Sequence, residues 1–569
     1  MIQSETSPIS VGGYKNLVEY TKDQIQYGQS MKTRTEIASI IAFGCLLILI
    51  QDGNLKDRIF AAENDSNPLA ARPFNWQMGP ETDSQSSNLT PLNIILILAD
   101  DLGWNDITYY GGGIAGGTVP TPNIDSIAQL GMHFPRGYAG NATCAPSRAA
   151  LLTGRYGPRT GFEFTPTSPG FARQTGGRWI DENAEYPPPA ELGLPTSELT
   201  LAEVLSEKDY HSILLGKWHL GSVAGKVPND QGFDEFLGFN SGARLFMDID
   251  DPEVVNSRQE FDPIDRFLWA SQQFSVNYNQ GQAFKPDSHM TDYLSREAVM
   301  AIEANANHPF FMFLSYNAPH TPLQAEKSDY DALSHIEDHT ERTYAAMLRG
   351  LDRGIGQVLT ALEENDLEQN TIVVFTSDNG GANYLGLNDI NQPYRGWKLS
   401  FFEGGIRVPY FIKWPERIPA GSEYASPVAH IDIFPTLLAA AGIDVPDDRV
   451  IDGVDILNSA LNEDQPPLNR PLYWRDAGYK VVQQDGWKLQ VQEQNGQRWL
   501  YNLNDDPTEQ NNLIESQPDR AQLLMQTLYE IDGQMSEPLW PGLTDREVSV
   551  DYTLENIPEG EHETIIWTN

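Results

Sequence analysis

Four short apolar runs, each stopping abruptly at polar residues, constrain the fold of this 569-residue chain more than any other feature. "LNIILILADDLG" runs apolar from Ile94 to Ala99 and ends in Asp100 and Asp101. "HSILLGKWHLG" is a short run followed by Lys217 and His219. "HPFFMFLSYNAPHTP" runs from Phe310 to Leu314 and leads to His320, and "NTIVVFTSDNGG" runs from Ile372 to Phe375 and leads to Asp378 and Asn379. Near-continuous apolar strands are strands buried on both faces, the pattern of a parallel sheet. Helical stretches such as "TYAAMLRGLDRGIGQVLTALEEN", from Thr343 onward, supply the cover. The expected fold is therefore α/β, a large mixed and mostly parallel central sheet with helices on both faces. Such sheets bind ligands beyond the carboxyl ends of their strands, so four polar strand ends predict one shared site.

After about residue 465 the pattern changes to short alternating segments, with turn signals at Asp485-Gly486 and Asn495-Gly496. That predicts an antiparallel meander, then a helix from Arg520 to Gly533 and a tail from Glu537 that wraps the surface. The expected divisions are an N-terminal extension at 1–62, a polar linker at 63–90, a catalytic domain at 91–464 and a C-terminal subdomain with its tail at 465–569. The apolar run at 37–50 follows Lys32 and Arg34. It is short for a membrane span and right for the core of a signal peptide. Export to a bacterial periplasm or beyond is expected, with a retained single-span anchor as the alternative. Met31 is the expected start, residues 1–30 then being a gene-model extension.

The net charge of −41, from 79 acidic and 38 basic side chains, repels nucleic acid and anionic membranes, which need a basic footprint. It also disfavours a long polyanionic substrate unless a local basic pocket overcomes the field. Two cysteines, Cys45 and Cys144, exclude a disulfide framework.

Asp100-Asp101 and Asp378-Asn379 offer hard oxygen ligands at two strand ends, suited to calcium or magnesium. Zinc fits less well, since it usually takes His and Cys ligands. Each pair alone would pass for helix caps or turns; two at one sheet edge point to a divalent ion. Lys217, His219, His320 and Lys398 surround these acids with groups suited to an anionic substrate, and a histidine in reach could protonate a leaving group. Cys144 and Arg148 share one face of a helix opened by "CAPSRAALLTGR". His211, His430 and Asp432 read as structural residues.

"CAPSRAALLTGR" resembles the sulfatase signature, Cys-x-Pro-Ser-Arg followed by a "LLTGR"-like segment, of the formylglycine-dependent, arylsulfatase-like branch of the alkaline phosphatase superfamily. "ILADDLG", "GKWHLG", "APHTP", "SDNGG", "QGFDEFLGF", "HIDIFPTLLAAAG", "LYNLNDDPTEQNNL" and the lysine before "FFEGGIRVP" resemble further family blocks in the same order, covering roughly 92–515. The resemblance implies a hydrolase of sulfate monoesters, aryl or saccharide. It implies that a maturation enzyme converts Cys144 to formylglycine. It further implies that calcium binds to Asp100, Asp101, Asp378, Asn379 and residue 144, and that one oxygen of the hydrated aldehyde attacks sulfur with help from Asp378. Arg148 and Lys217 would hold the diol and the sulfate. Lys398 and His320 would hold the sulfate and help protonate the departing alcohol. His219 would take the proton that releases sulfate.

Asn141-Ala142-Thr143 is a glycosylation sequon beside Cys144, expected to stay unused because a glycan there would obstruct the site. The rival readings are a phosphonate or phosphodiester hydrolase with the same machinery, a non-catalytic binding scaffold, and a two-zinc phosphatase. The scaffold reading requires lost site residues and none is missing; the phosphatase requires more histidine ligands. Leaving-group choice is expected to lie in the loops at 163–193 and 243–269, both rich in aromatics and arginine. The oligomeric state is not readable.

Overall fold

The apolar run beginning at Asn93 becomes the middle strand of a nine-stranded sheet in the computed structural model, which describes residues 74–80, 92–175, 177–181, 185–188, 191–462 and 464–569. The signal or anchor expected at 37–50 lies outside the described residues. In chain order the strands are β1 (Asn93–Ala99), β2 (Met132–His133), β3 (His211–Lys217), β4 (Glu235–Phe239), β5 (Asn277–Tyr278), β6 (Phe310–Ser315), β7 (Thr371–Ser377), β8 (Tyr410–Lys413) and β9 (Ser422–Glu423). Their spatial order is β9-β2-β8-β7-β1-β6-β3-β4-β5. The middle strands β7, β1, β6, β3 and β4 are parallel. β8 and β5 join them antiparallel on either side.

Six of the longer helices are α1 (Pro122–Gln129), α2 (Cys144–Thr153), α3 (Met290–Ala304), α4 (His339–Glu364), α5 (Ile433–Ala440) and α6 (Pro518–Asp532). The strands are apolar throughout because each face has its own core. Ile95, Ile97, Met312, Leu314, Val373 and Phe375 pack with residues of α1, α3 and α4. Ile94, Leu96, Leu98, Phe311, Phe313, Ile372 and Val374 pack on the other side with residues of α2 and α5. In α4, Tyr344, Leu348, Leu351, Ile355, Val358 and Leu362 recur at helical spacing and are all buried. The Asp338 carboxylate caps that helix by accepting the Glu341 N–H at 2.8 Å.

The C-terminal meander forms as expected from β10 (Leu472–Asp476), β11 (Tyr479–Gln484), β12 (Trp487–Gln492) and β13 (Arg498–Asn502). Asp485 and Gly486 both have positive φ, 54° and 75°, as a two-residue hairpin turn demands. Leu524 and Leu528 of α6 share a third core with this sheet, with Phe401 and Phe402 also in it. The tail does more than wrap the surface: β14 (Thr544–Ser549) and β15 (Thr564–Thr568) pair with each other, and β14 also pairs with Arg178–Trp179. The cause is apolar alternation, since Val548, Val550, Ile565 and Trp567 enter the third core. Residues 74–80, expected within a linker, are held by two aromatic anchors: Phe74 stacks on Tyr278 at 4.0 Å, and Trp76 Nε1 donates to Glu297 at 3.0 Å.

Candidate active site

Register brings the two acid pairs together. Ala99 of β1 lies opposite Ser377 of β7, so Asp100-Asp101 and Asp378-Asn379 leave the sheet side by side. Lys217 is the last residue of β3, with His219 two positions on, and His320 lies in the loop after β6. Cys144 and Arg148 sit near the start of α2, and the loop between β7 and β8 carries Lys398. Thr143 is extended at the cap of α2, and Gly154 ends the helix in the left-handed region (φ 68°), where an added Cβ would meet the Phe434 Cβ at 2.9 Å.

The side chains converge. Cys144 Sγ lies 3.6 Å from Asp100 Oδ1 and 3.8 Å from Asp101 Oδ1. Lys217 Nζ donates to Asp100 Oδ2 at 2.6 Å, and Lys398 Nζ to Asp101 Oδ2 at 2.8 Å. Arg148 Nε donates to Asp378 Oδ2 at 2.9 Å, while its Nη1 donates to the Lys217 carbonyl at 3.0 Å and to Ser315 Oγ at 2.6 Å. Lys398 Nζ also donates to His320 Nε2 at 3.3 Å, and His320 Nδ1 is bonded to the Thr321 carbonyl. That carbonyl fixes the proton on Nδ1 and leaves Nε2 as acceptor. Backbone strain gathers at the same place, since Asp101, His219 and Leu399 have φ of 61°, 64° and 77°.

Burial and neighbouring charge set the protonation states. Burial, reinforced by Asp378, pushes the Asp100 carboxyl up to about 7 against the pull of Lys217 and Arg148. Burial also works against Asp101, but Lys398, His320 and Lys217 outweigh it and hold that carboxyl well below its usual range. Burial pushes the Cys144 thiol far up, with Asp378 adding to it. Burial lowers His320 to about 3 despite Asp101, and burial with Lys217 and Arg148 holds His219 well below its usual value. Both imidazoles are therefore neutral.

The donor set fits a hard cation. Asn379 Nδ2 donates to Asp101 Oδ1 at 2.8 Å, which leaves Asn379 Oδ1 buried with no hydrogen-bond partner. Ligand atoms of Asp100, Asp101, Cys144 and His320 lie within 4.8 Å of one another. An orphaned amide oxygen beside crowded carboxylates matches an oxygen-seeking ion.

Two residues of the cluster escape sequence reasoning. Ser315 holds Arg148, and the buried Tyr384 hydroxyl donates to Asp101 Oδ2 at 3.0 Å while accepting from Lys398 at 3.1 Å. The available signal was position alone, the end of an apolar run for Ser315 and five residues past Asn379 for Tyr384. The residues read as structural make structural contacts. His430 links Ser147 Oγ to Thr376 Oγ1, His211 pairs with Glu235 at 2.8 Å, and Asp432 pairs with Arg470. Asn141 is buried, and its Nδ2, the atom a glycan would be attached to, faces the Arg475 carbonyl at 3.5 Å. No helix among the described residues is long and apolar enough to cross a membrane.

The sulfatase family model matches residues 92–443, and a model of the C-terminal part of N-sulphoglucosamine sulphohydrolase matches 396–534. The chain is 35% identical over 389 residues to N-acetylgalactosamine-6-sulfatase of Canis lupus familiaris, which covers 68% of each protein. It is 30% identical over 443 residues to human steryl-sulfatase, covering 66% of this chain and 70% of that one. The crystal structure of Ps i-CgsB in complex with k-i-k-neocarrahexaose is 32% identical with a TM-score of 0.66, covering 79% of this chain and 95% of that one.

Proposed function

The chain belongs to the sulfatase family and hydrolyses sulfuric esters; from that premise we propose that it desulfates a saccharide, using a formylglycine made from Cys144 at a calcium site. The observation that carries the proposal is the placement of Cys144. Its thiol is buried among Asp100, Asp101 and the Asp378 charge, which keeps it protonated and makes it a poor nucleophile and a poor ligand. A cysteine so placed serves as the precursor of another group. Once hydrated, formylglycine supplies one oxygen to attack sulfur and a second hydroxyl whose deprotonation expels sulfate, while calcium supplies the charge that acidifies the first.

Asp100, Asp101, Asp378 and Asn379 would hold the ion together with an oxygen of residue 144. Asp378, whose Oδ2 is tied to Arg148, would accept the proton of the attacking oxygen. Arg148 is fixed at three atoms by Asp378, Ser315 and the Lys217 carbonyl, so it presents a preorganised charge to the sulfate. Lys398 carries a proton that it shares with His320 Nε2 at 3.3 Å, a pair suited to protonating the leaving alcohol. His219, neutral and with Nδ1 unpartnered, is free to take the proton that releases sulfate.

A saccharide substrate is supported by the likeness to N-acetylgalactosamine-6-sulfatase and to a sulfatase-fold protein crystallised with a neocarrahexaose. The test is mass spectrometry of the tryptic peptide Gly137–Arg148 from protein co-produced with a maturation enzyme, followed by sulfate release from sulfated oligosaccharides. The expected peptide mass is that of the aldehyde or its hydrate. An intact thiol in a host that matures other sulfatases would overturn the proposed nucleophile.

A further inference from the structure

The segment 240–247 lies against His219 and is linked through Asn317 to the backbone of His320. A Cβ added at Gly242 would come within 2.6 Å of His219 Nε2. The Arg244 carbonyl accepts Asn317 Nδ2–H at 3.2 Å, and the Asn317 carbonyl accepts the His320 N–H at 3.0 Å. Arg244 itself is half-buried, and its Nε is buried without any hydrogen-bond partner. Among the described residues, the buried Arg148, Arg407 and Arg475 pair with Asp378, Glu403 and Glu163, and the half-buried Arg470 pairs with Asp432. Burial alone acts on the Arg244 guanidinium, with no carboxylate to offset it. A desolvated, unpaired charge is costly, and in a chain of net charge −41 it is a local exception that attracts an anion. Two acceptors connected to this segment are also unused: Oδ1 of Asn240, four residues earlier, and Oδ1 of Asn317, whose Nδ2 bonds the Arg244 carbonyl, are buried without partners.

We propose that Arg244, with Asn240 and Asn317, forms a subsite for a second anionic substituent of the saccharide, a sulfate or a carboxylate, beside the sulfate being cleaved. The guanidinium donates to the anion in its planar fork, and the two amide oxygens accept from neighbouring sugar hydroxyls. This inference rests on the sulfatase reading and deepens it, because it makes the preferred substrate polyanionic and leaves a simple aryl sulfate without that anchor.

The experiment compares matured wild type, Arg244→Ala and Arg244→Lys on four substrates. They are 4-nitrophenyl sulfate, a monosulfated galactose, a disulfated disaccharide and a monosulfated disaccharide bearing a uronate. Wild type is expected to favour one of the two dianionic sugars, and which one identifies the second anion. Arg244→Ala is expected to lose about 10- to 100-fold in kcat/KM on that sugar, mainly through KM, with the aryl sulfate rate unchanged and Arg244→Lys partly restoring the sugar. A wild type without preference for either dianionic sugar overturns the subsite, as does an equal loss on all four substrates in Arg244→Ala. A matured wild type that cleaves none of the four instead overturns the proposed saccharide desulfation on which the subsite rests.

Discussion

At the scale of single residues, the site is organised by what each polar atom lacks. Every carboxylate at the sheet edge has a cation on one oxygen, Lys217 on Asp100, Lys398 on Asp101 and Arg148 on Asp378. Asn379 Oδ1 has nothing, although it is fully buried. An orphaned acceptor of this kind costs about 1–3 kcal/mol unless a ligand meets it. The matured protein should therefore gain stability with calcium, by about 2.7 kcal/mol at a hundredfold excess over its dissociation constant. Asn379→Ala should need about tenfold more calcium for the same rise in melting temperature. Calorimetry with chelator and with added calcium checks this. A matured wild type whose melting temperature ignores both would remove Asn379 from a metal site.

Elements show a second kind of dependence, in which one helix completes another. Helix α1 has no side-chain cap of its own at Thr121. Its first free N–H groups, at Asn123 and Ile124, donate instead to Asp352 Oδ1 of α4 at 3.0 Å and 2.8 Å, and Asn123 Nδ2 donates to Oδ2 at 2.8 Å. Burial raises the Asp352 carboxyl to about 6, against the hydrogen bonds from Ile124 and Asn123. A folded-state value above the unfolded one means the folded chain holds the proton longer. The contribution to stability is then full below about 4 and is lost as pH rises through about 6, amounting to about 1–3 kcal/mol. Asp352→Asn keeps an acceptor for the two N–H groups but cannot ionise, so its stability relative to wild type should rise between pH 4 and 7. Parallel curves for the two proteins in urea melts across that range would contradict the assignment. The legible elements were those whose physics is local. The run 94–99 is apolar on both faces because two cores flank it, and Asp485-Gly486 carries the positive φ values its turn needs. The turn at Ala477-Gly478, with Ala477 at φ 48°, carried no comparable signal. Asp100, Asp378 and Cys144 were legible because acids and a rare cysteine are conspicuous at strand ends and in a signature. Tyr384 and Asp352 act through partners distant in sequence, and nothing local marks either one.

Across the whole molecule, the far end of the chain supports the site. Arg395 stands three residues before Lys398, in the loop that must hold the ammonium on Asp101 and His320. Its guanidinium pairs with Asp551 and Glu563 from the tail and donates to the Glu509 carbonyl at 3.2 Å. The tail is anchored independently, through Trp567 in the third core and through pairing of β14 with Arg178–Trp179. Neutralising the two tail acids should therefore spare the fold while loosening the loop. Exposed or half-exposed ion pairs are worth at most about 1 kcal/mol each, so Asp551→Asn combined with Glu563→Gln should shift the melting temperature only slightly. Positioning errors weigh more heavily on catalysis than on stability, since a misplacement of about 1 Å can cost about a hundredfold in rate. The double variant should thus lose about tenfold in kcat on a good substrate, with a smaller change in calcium affinity, because Lys398 bonds Asp101 while Asp100 and Asp378 are held by Lys217 and Arg148. A loss of kcat that tracks an equal loss of calcium affinity or a large drop in melting temperature would assign the tail a purely structural role. Undiminished kcat would show that Lys398 is held without it.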